Sequence, residues 1–466
     1  QKDTVYSPIQ TTDTSTIGML YTAPNADPDK YPLNVPKLFL ADRWKAADLG
    51  TAGTGHDAFA AIYRHVGVPV VAVRVEQALT AEQTIANMIG DYATRSGSHA
   101  FYSAKNTVFK VPKILIAPGG YSAQRVTGGI TQIVIGAGGA GYTAANTRIV
   151  INANGHGGGA KAIPVISQGV LTGVQIVNCG IGYSAQHVTF AIVGDGENAT
   201  ISDFEIGTAA NPIIAELGGI GNRMRSTIIA DCPNATAEQS AAYRHDWATE
   251  RIYCVDNWGL VADQAGNIGA QPNSAAVAGL LASVDNDEGF WVSPSNRVVQ
   301  GLLGTSRPID DSGVGGEADY LNMDNDVATI MHRGSGFKLF GNHGCSTDPL
   351  WKMFAAGRTR DALYDSIEAA IDAKDTDKPL NLQFYEGVCE SINEKLRYWE
   401  SIGAIIGGKI WVDPALNPPL ELVAGRPKFS MDFEPVGVAE DIQIIAARNP
   451  GYYADLVNQV VLQIAA

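Results

Sequence analysis

The stretch His56-Asp-Ala-Phe-Ala-Ala-Ile-Tyr-Arg-His-Val-Gly-Val-Pro-Val-Val-Ala-Val-Arg-Val75 holds two periodicities back to back. Up to Val66 the apolar residues Phe59, Ile62, Tyr63 and Val66 recur at the spacing of one helical face. From Pro69 the run is almost wholly β-branched, which suits a strand buried on both faces of a sheet. Ile17-Gly-Met-Leu-Tyr-Thr-Ala-Pro24 reads as an earlier strand ended by proline, and Lys37-Leu-Phe-Leu40 as a short apolar run. Lys113-Ile-Leu-Ile-Ala-Pro-Gly119 is one more strand with a turn. Strand, helix, strand in that order predicts an α/β layer.

From about Val126 to Gly207 the pattern changes. Helical period all but disappears, and Gly, Val, Ile and Thr dominate. Two halves align: Gly129-Ile-Thr-Gln-Ile-Val-Ile-Gly-Ala-Gly-Gly-Ala-Gly-Tyr142 and Gly169-Val-Leu-Thr-Gly-Val-Gln-Ile-Val-Asn-Cys-Gly-Ile-Gly-Tyr183, their closing tyrosines 41 residues apart. Such a repeat of short strands and glycine turns predicts a small all-β module. With α/β pattern on both sides, it reads as a domain inserted in a loop, where insertion costs little entropy.

The α/β pattern resumes at Asn211. Ser226-Thr-Ile-Ile-Ala-Asp231 and Ile252-Tyr-Cys-Val-Asp256 read as strands, Ala237 to Arg251 as helix-compatible, and Ser274 to Val284 as a small-residue helix able to pack closely. Gln300 to Gly316, rich in Gly, Pro, Ser and Asp, is the best boundary. Further on, Thr359 can cap a helix running to about Lys374, with Leu363, Ile367, Ala370 and Ile371 on one face and Asp361 favouring its dipole. A second helix, about Glu386 to Ser401, places Cys389, Ile392, Leu396 and Trp399 on one side. Strands are expected at Lys409 to Val412, Lys428 to Phe433 and Asp441 to Ile445. The tail Asp455-Leu-Val-Asn-Gln-Val-Val-Leu-Gln-Ile-Ala465 is apolar and strand-like, and a free apolar strand should pair with something. The polar start, Asp3 to Thr16, reads as an extended arm that cannot bury a core alone.

Composition narrows the function. At 466 residues the chain has room for several domains. Its charged share of 17% lies below the usual quarter or so, and Gly reaches 51 residues, a balance that suits a β-rich protein with much surface buried against partners. The net charge of −15 and the absence of any Lys/Arg cluster exclude a nucleic-acid binder built on a basic stripe. Complementarity to a basic partner surface is the sharper reading of that charge. Cys179, Cys232, Cys254, Cys345 and Cys389 are scattered and odd in number, which argues for reduced thiols and against a disulfide scaffold or zinc site. Gln1 to Gln10 lacks a signal-peptide core and no run approaches the ~18 apolar residues of a membrane span, so a soluble intracellular product is expected.

Catalytic motifs do not assemble. Gly136-Ala-Gly-Gly-Ala-Gly141 fits a dinucleotide fingerprint, but Thr143 to Ile151 reads as turn and strand where a helix should open, and repeat turns explain the glycines better. There is no phosphate-binding lysine loop, GxSxG or HExxH. His332, His343 and Cys345 lack a fourth ligand at suitable spacing. Asp310-Asp311 and the group Asp285, Asp287 and Glu288 could hold a cation, but a solvated loop is the plainer reading. Trp291, Trp351, Trp399 and Trp411 read as core or interface anchors. No catalytic, cofactor-binding or metal site is assigned, and no cofactor is expected.

Asp287-Glu-Gly-Phe-Trp-Val-Ser-Pro-Ser-Asn296 with Gly301, Gly336-Phe-Lys-Leu-Phe-Gly-Asn342 with Asp348-Pro349, Arg358-Thr-Arg-Asp361, and Lys378-Pro-Leu380 together resemble motifs of the tail sheath proteins of contractile bacteriophages. Ile392-Asn-Glu-Lys-Leu396, Gly403-Ala-Ile-Ile-Gly-Gly408 with Asp413-Pro414, Phe433-Glu-Pro-Val436 and Glu440-Asp-Ile442 continue the series. Upstream, Thr22-Ala-Pro24, Tyr31-Pro-Leu-Asn34, Leu49-Gly-Thr51 and Ile116-Ala-Pro-Gly119 are similar to that family's amino-terminal domain. The resemblance covers about 17–125 and 208–450. It departs at the repeat module and at His343, where the family often carries Arg.

The resemblance implies an α/β and α+β multidomain tail-sheath fold, to which the repeat and the terminal segments add an inserted all-β repeat module and extended terminal arms. The expected divisions are an arm at 1–16, an outer α/β domain at 17–125, the module at 126–207, the α/β domain continued at 208–330, a tube-facing α+β domain at 331–450 and a second arm at 451–466. It further implies hexameric rings stacked helically around an inner tail tube, contracting to drive the tube through the host envelope. Partners would be copies of itself, the tube protein, and baseplate and tail terminator proteins, with no direct nucleic acid or membrane insertion. The place would be the virion tail, assembled in the host bacterial cytoplasm. The strand-like termini suit exchange between subunits by β-augmentation, through Val5, Tyr6, Ile9, Leu456, Val457, Val460, Leu462 and Ile464. The sheath of a phage-tail-like bacteriocin or injection system shares the same parts. A nucleotide-dependent oxidoreductase is the alternative from another class.

Overall fold

The computed structural model describes residues 9–41, 47–263, 265–310, 315–442 and 444–464. Val5 and Tyr6 lie outside them. The chain divides into two units, Gln1–Val436 and Gly437–Ala466.

The first unit opens with β1 (Ile17–Thr22), β2 (Pro36–Leu40), α1 (Gly55–His65), β3 (Pro69–Val75), α2 (Ala81–Ile89) and β4 (Ile114–Ile116). Six strands follow: β5 (Val126–Ala140), β6 (Arg148–Asn152), β7 (Lys161–Ser167), β8 (Val170–Asn178), β9 (Thr189–Val193) and β10 (Glu197–Ala209). The α/β alternation returns with α3 (Pro212–Met224), β11 (Thr227–Asp231), α4 (Ala237–Arg244) and β12 (Ile252–Asp256). Next come β13 (Gly259–Ala262), β14 (Ile268–Gln271), α5 (Ser274–Asp287), β15 (Arg297–Val298), β16 (Gly304–Thr305), β17 (Ala328–Arg333) and β18 (Gly336–Phe340).

Among the described residues these strands form a nine-stranded sheet in the order β15-β18-β17-β12-β11-β4-β1-β3-β2. The six strands from β17 to β3 run parallel, and β18, β15 and β2 pair antiparallel at the edges. Residues alternate between two cores, as a two-residue strand period requires. Ile17, Met19, Tyr21, Val70, Ala72, Ile114 and Ile116 face α1 and α5. Leu20, Val71, Val73, Val75 and Leu115 face α2 and α3. Gly279 lets α5 approach α1, since a Cβ there would stand 2.7 Å from the Ile62 carbonyl oxygen. The best sequence boundary is no linker: Arg307 pairs with Asp256, and its backbone N–H donates to Asn257 Oδ1 at 3.1 Å. Likewise β17 runs through the division drawn at 330/331, so the first residues assigned to the last domain belong to the sheet.

The strands from β5 to β10 pair only across the repeat. β5 pairs with β10, β7 with β8 and β6 with β9, all antiparallel. An offset of 41 residues carries β6 onto β9 end to end. The exchange is reciprocal: Tyr142 N–H donates to the Gly169 carbonyl at 3.0 Å and Tyr183 N–H to the Gly128 carbonyl at 2.8 Å, positions related by the same offset. The module is seated on the α/β body. Glu216 of α3 accepts from Lys161 at 2.7 Å and from Asn178 Nδ2 at 3.2 Å, and His99 Nε2 lies 2.9 Å away. Burial raises the Glu216 carboxyl, but the His99 and Lys161 donors and their charge outweigh it and bring it down to about 2.

A lobe closes the first unit: α6 (Phe354–Lys374), α7 (Leu382–Ser401), β19 (Ile405–Trp411) and β20 (Ser430–Pro435). Leu363, Ile367, Val388, Ile392, Leu396 and Trp399 are its core. Thr359 does not cap α6. The helix starts five residues earlier, with Phe354 N–H held by the Asn342 carbonyl, and the Thr359 hydroxyl donates to Ala355 O inside it.

In the second unit, α8 (Tyr452–Ile464) replaces the strand expected over the tail. Tyr452, Tyr453, Leu456, Val457, Val460, Val461 and Ile464 recur at three and four residues, a helical face, and proline and glycine sit just before its start. Its described residues are all exposed, as are Ile442, Ile444 and Ile445 in the irregular segment before it, where a strand was expected.

Candidate assembly surfaces

β19 and β20 form an antiparallel pair, with no third strand among the described residues, registered from Ile405↔Pro435 to Trp411↔Ser430. The outer edge of β19 is partly closed by its own lobe, because Asn393 accepts from Ile410 N–H at 2.9 Å and donates to Ile410 O at 3.2 Å. Ile410 therefore points its backbone away from its ladder partner Met431, and an antiparallel ladder makes Met431 do the same on the other side. No described residue takes up that outer row of β20. Ile406 and Trp411 stand exposed on the same pair. An open, partly apolar strand edge is a template for another strand.

The amino-terminal segment is not free from Ile9 onward. Ile9 is buried among the lobe's core residues. Lys395 donates to Thr11 Oγ1 at 2.9 Å, and Thr12 N–H to Ser366 Oγ at 3.1 Å. Asp13 takes Lys110 at 2.8 Å and Thr16 Oγ1 at 2.7 Å. Burial raises its carboxyl, but Lys110 and the hydroxyl and amide donors outweigh that and leave it at about 2. Ile9, expected to exchange between subunits, thus belongs to its own body.

A charged seam joins α6 to the α/β sheet. Arg358 makes a bidentate pair with Asp285, Nη1 to Oδ1 at 2.8 Å and Nη2 to Oδ2 at 2.5 Å. Arg360 reaches Glu250 at 2.9 Å and lies 4.6 Å over the Trp351 ring. Asp361 pairs with Arg251, and Asp365 with Lys113 at 2.5 Å and Arg225 at 2.9 Å. Burial lowers the Arg251 guanidinium to about 10. Nearby, Asp326 collects Arg244 at 2.7 Å, Lys352 at 2.8 Å and His343 at 2.9 Å. Lobe and sheet are therefore fastened by pairs that lose far more if one member is removed than they add as pairs.

The pattern of the phage tail sheath protein central domain matches residues 184–343. The tail sheath protein of Burkholderia phage BcepMu is 27% identical over 450 residues, covering 91% of this chain and 90% of its own. That of Escherichia phage P2 is 29% identical over 229 residues, 48% of this chain and 57% of its own. The chain is thus similar to phage tail sheath proteins over nine-tenths of its length. The sheath complex of an extracellular contractile injection system in its contracted state, PVC, shares the fold at 13% identity, with a TM-score of 0.62 over 97% of this chain and 96% of that one. The matched span starts at Ser184, inside the second repeat, so the match takes in β9 and β10 of the repeat module.

Within this chain the Arg358-Thr-Arg-Asp361 motif gains a physical reason that its sequence did not carry. Its partners Asp285, Glu250 and Arg251 come from elsewhere in the chain and give no local signal. Asp285 is no cation-binding loop residue but the buried partner of Arg358. His343 serves Asp326, Cys345 lies with its sulfur 3.6 Å from that of Cys254, and His332 packs on Phe337, so the three do not converge. Among the described residues no group of three His, Cys, Asp or Glu could hold a metal. The glycines of Gly136–Gly141 lie in and just after β5, with no helix opening there.

Proposed function

We propose that this sheath protein polymerises as stacked hexameric rings around an inner tail tube, and that the sleeve shortens to drive the tube through a host envelope. The carrying observation is the unfilled outer edge of β20. A neighbouring copy supplies the missing strand by β-augmentation, main-chain hydrogen bonds giving the affinity. Val5 and Tyr6 are the donors at the amino-terminal end. At the other end the extended segment with Ile442, Ile444 and Ile445 fits the edge, and Leu456, Val457, Val460, Leu462 and Ile464 dock as a helical face instead of a strand. The contact is heterologous, which is what builds an open helical array.

The role is structural, with no chemical step. The tube, baseplate and terminator proteins are the further partners, and assembly takes place in the bacterial cytoplasm before the particle is released. The likeness to the contractile injection system sheath supports a second reading, in which the sleeve belongs to a tail-like injection particle without a genome. DNA in the purified particle separates the two.

Removing 437–466 tests the exchange. The truncated chain should melt as the full chain does, because none of the removed described residues is buried, yet remain monomeric in electron micrographs where the full chain forms tubes. Met431→Pro should also keep the chain from forming tubes, since it deletes a donor aimed away from the β19 ladder. Normal tubes from both variants would sink the exchange.

A further inference from the structure

The module's internal symmetry supplies its own control. The pairs β7–β8 and β5–β10 are two versions of one strand pair. In the first, Ile163 faces Gln175 and Val165 faces Gly173. Forty-one residues before Gln175 and Gly173 stand Val134 and Gln132, whose partners are Asp203 and Glu205. By ladder position, one residue out of step with the 41-residue offset that would carry them to Phe204 and Ile206 because both ladders slip at bulges, Ile163 and Val165 occupy the places that Asp203 and Glu205 hold in the twin. All four are exposed, Ile163 at 53% and Val165 at 46%, and the same hairpin also exposes Val170 at 39% and Val177 at 46%. The module folds with carboxylates at these places in one copy, so its core does not demand apolar residues there in the other. Single exposed apolar side chains are ordinary, but four on one hairpin mark a surface that becomes covered.

The charge distribution points to what covers it. From Lys161 to Asn178 the hairpin has a single charged residue, Lys161, and its ammonium is spent on Glu216. The whole chain carries −15, so two copies repel over much of their surface. The uncharged hairpin is where copies can touch without bringing carboxylates together. We infer that the outer face of β7–β8 docks on a second copy of this chain, against a different surface of that copy, as a propagating array requires. The inference rests on the proposed reading of a polymerising subunit. Four side chains fall short of the ~1,200 Å² that a stable pair buries, so the contact adds to others in the array and makes no free dimer.

The test uses the full chain and the double variant Ile163→Asp/Val165→Glu, which installs the twin's residues. The variant should keep the parent's melting temperature, while the concentration needed for tube assembly, read by sedimentation and electron microscopy, rises about tenfold or more. Should that variant fail to fold, Val177→Lys on the neighbouring strand replaces it with the same expectation. Tubes formed at the parent's concentration by a folded variant overturn the hairpin contact alone. A parent chain that stays monomeric at every concentration overturns the polymerising reading and this contact with it.

Discussion

Arg358 and Asp285 meet side by side, two nitrogens on two oxygens, with both side chains almost wholly withdrawn from solvent. They tie the first half of α6 to the end of α5 and so fix the lobe to the sheet. Asp285→Ala leaves a buried guanidinium without its partner and should destabilise the chain by about 3–5 kcal/mol. Chemical denaturation checks it. A loss below 1 kcal/mol would mean that the seam does not hold the lobe.

Glu216 holds the module by its β7 and β8 ends. With its carboxyl depressed in the fold, its contribution is present above the ordinary glutamate range and is lost as pH falls toward 2. Glu216→Gln should weaken the Lys161 contact and raise amide exchange at 156–161 and 178–183, with β1, β3 and β4 unchanged. Exchange that rises equally in the sheet would show a general loosening and remove the clasp.

Asp231 has the opposite sign. It is fully buried at the end of β11 and accepts from Ser274 N–H at 2.6 Å through one oxygen, while among the described residues no hydrogen-bond partner reaches the other within bonding geometry. Burial pushes its carboxyl up to about 6, against the donors of Ser274 and Asn273. The folded protein therefore binds this proton more tightly than the unfolded one. The stability involved is complete below the unfolded value near 4 and is lost as pH rises through 6. Asp231→Asn should be more stable than the parent at pH 8 and close to it at pH 4, as urea midpoints at the two values will show. Equal midpoints at pH 8 would refute the assignment.

Ile9 tests where the arm leaves the body. If it belongs to its own lobe core, Ile9→Ala lowers the stability of the isolated monomer by about 2–4 kcal/mol. If it were donated to a neighbour, the monomer would melt unchanged and only assembly would suffer.

Much of this architecture was legible because burial on both faces of a sheet writes itself into composition. Pro69–Val75 and Ile252–Asp256 could hardly be anything else. The repeat announced the all-β module through its glycines and tyrosines, although which strands pair across it was not readable, because a strand's period is silent about its partner. The tail failed for the opposite reason: Val457, Val460 and Val461 favour strand by type but helix by spacing, and spacing won. The charged seam was invisible, since Lys113, Glu250 and Asp285 look like ordinary solvated residues until the fold brings α6 beside them. The open edge of β20 was hidden too, because Asn393 closes β19 from a helix seventeen residues earlier than Ile410.

The ladders of the module all run between its halves, never within one. A single 41-residue half would thus expose three orphan strands and be complete only beside a twin. Fusing two such halves turns an association that depends on concentration into one that each chain carries ready-made. It also frees the halves to diverge, one keeping its acids toward water while the other changes what it shows.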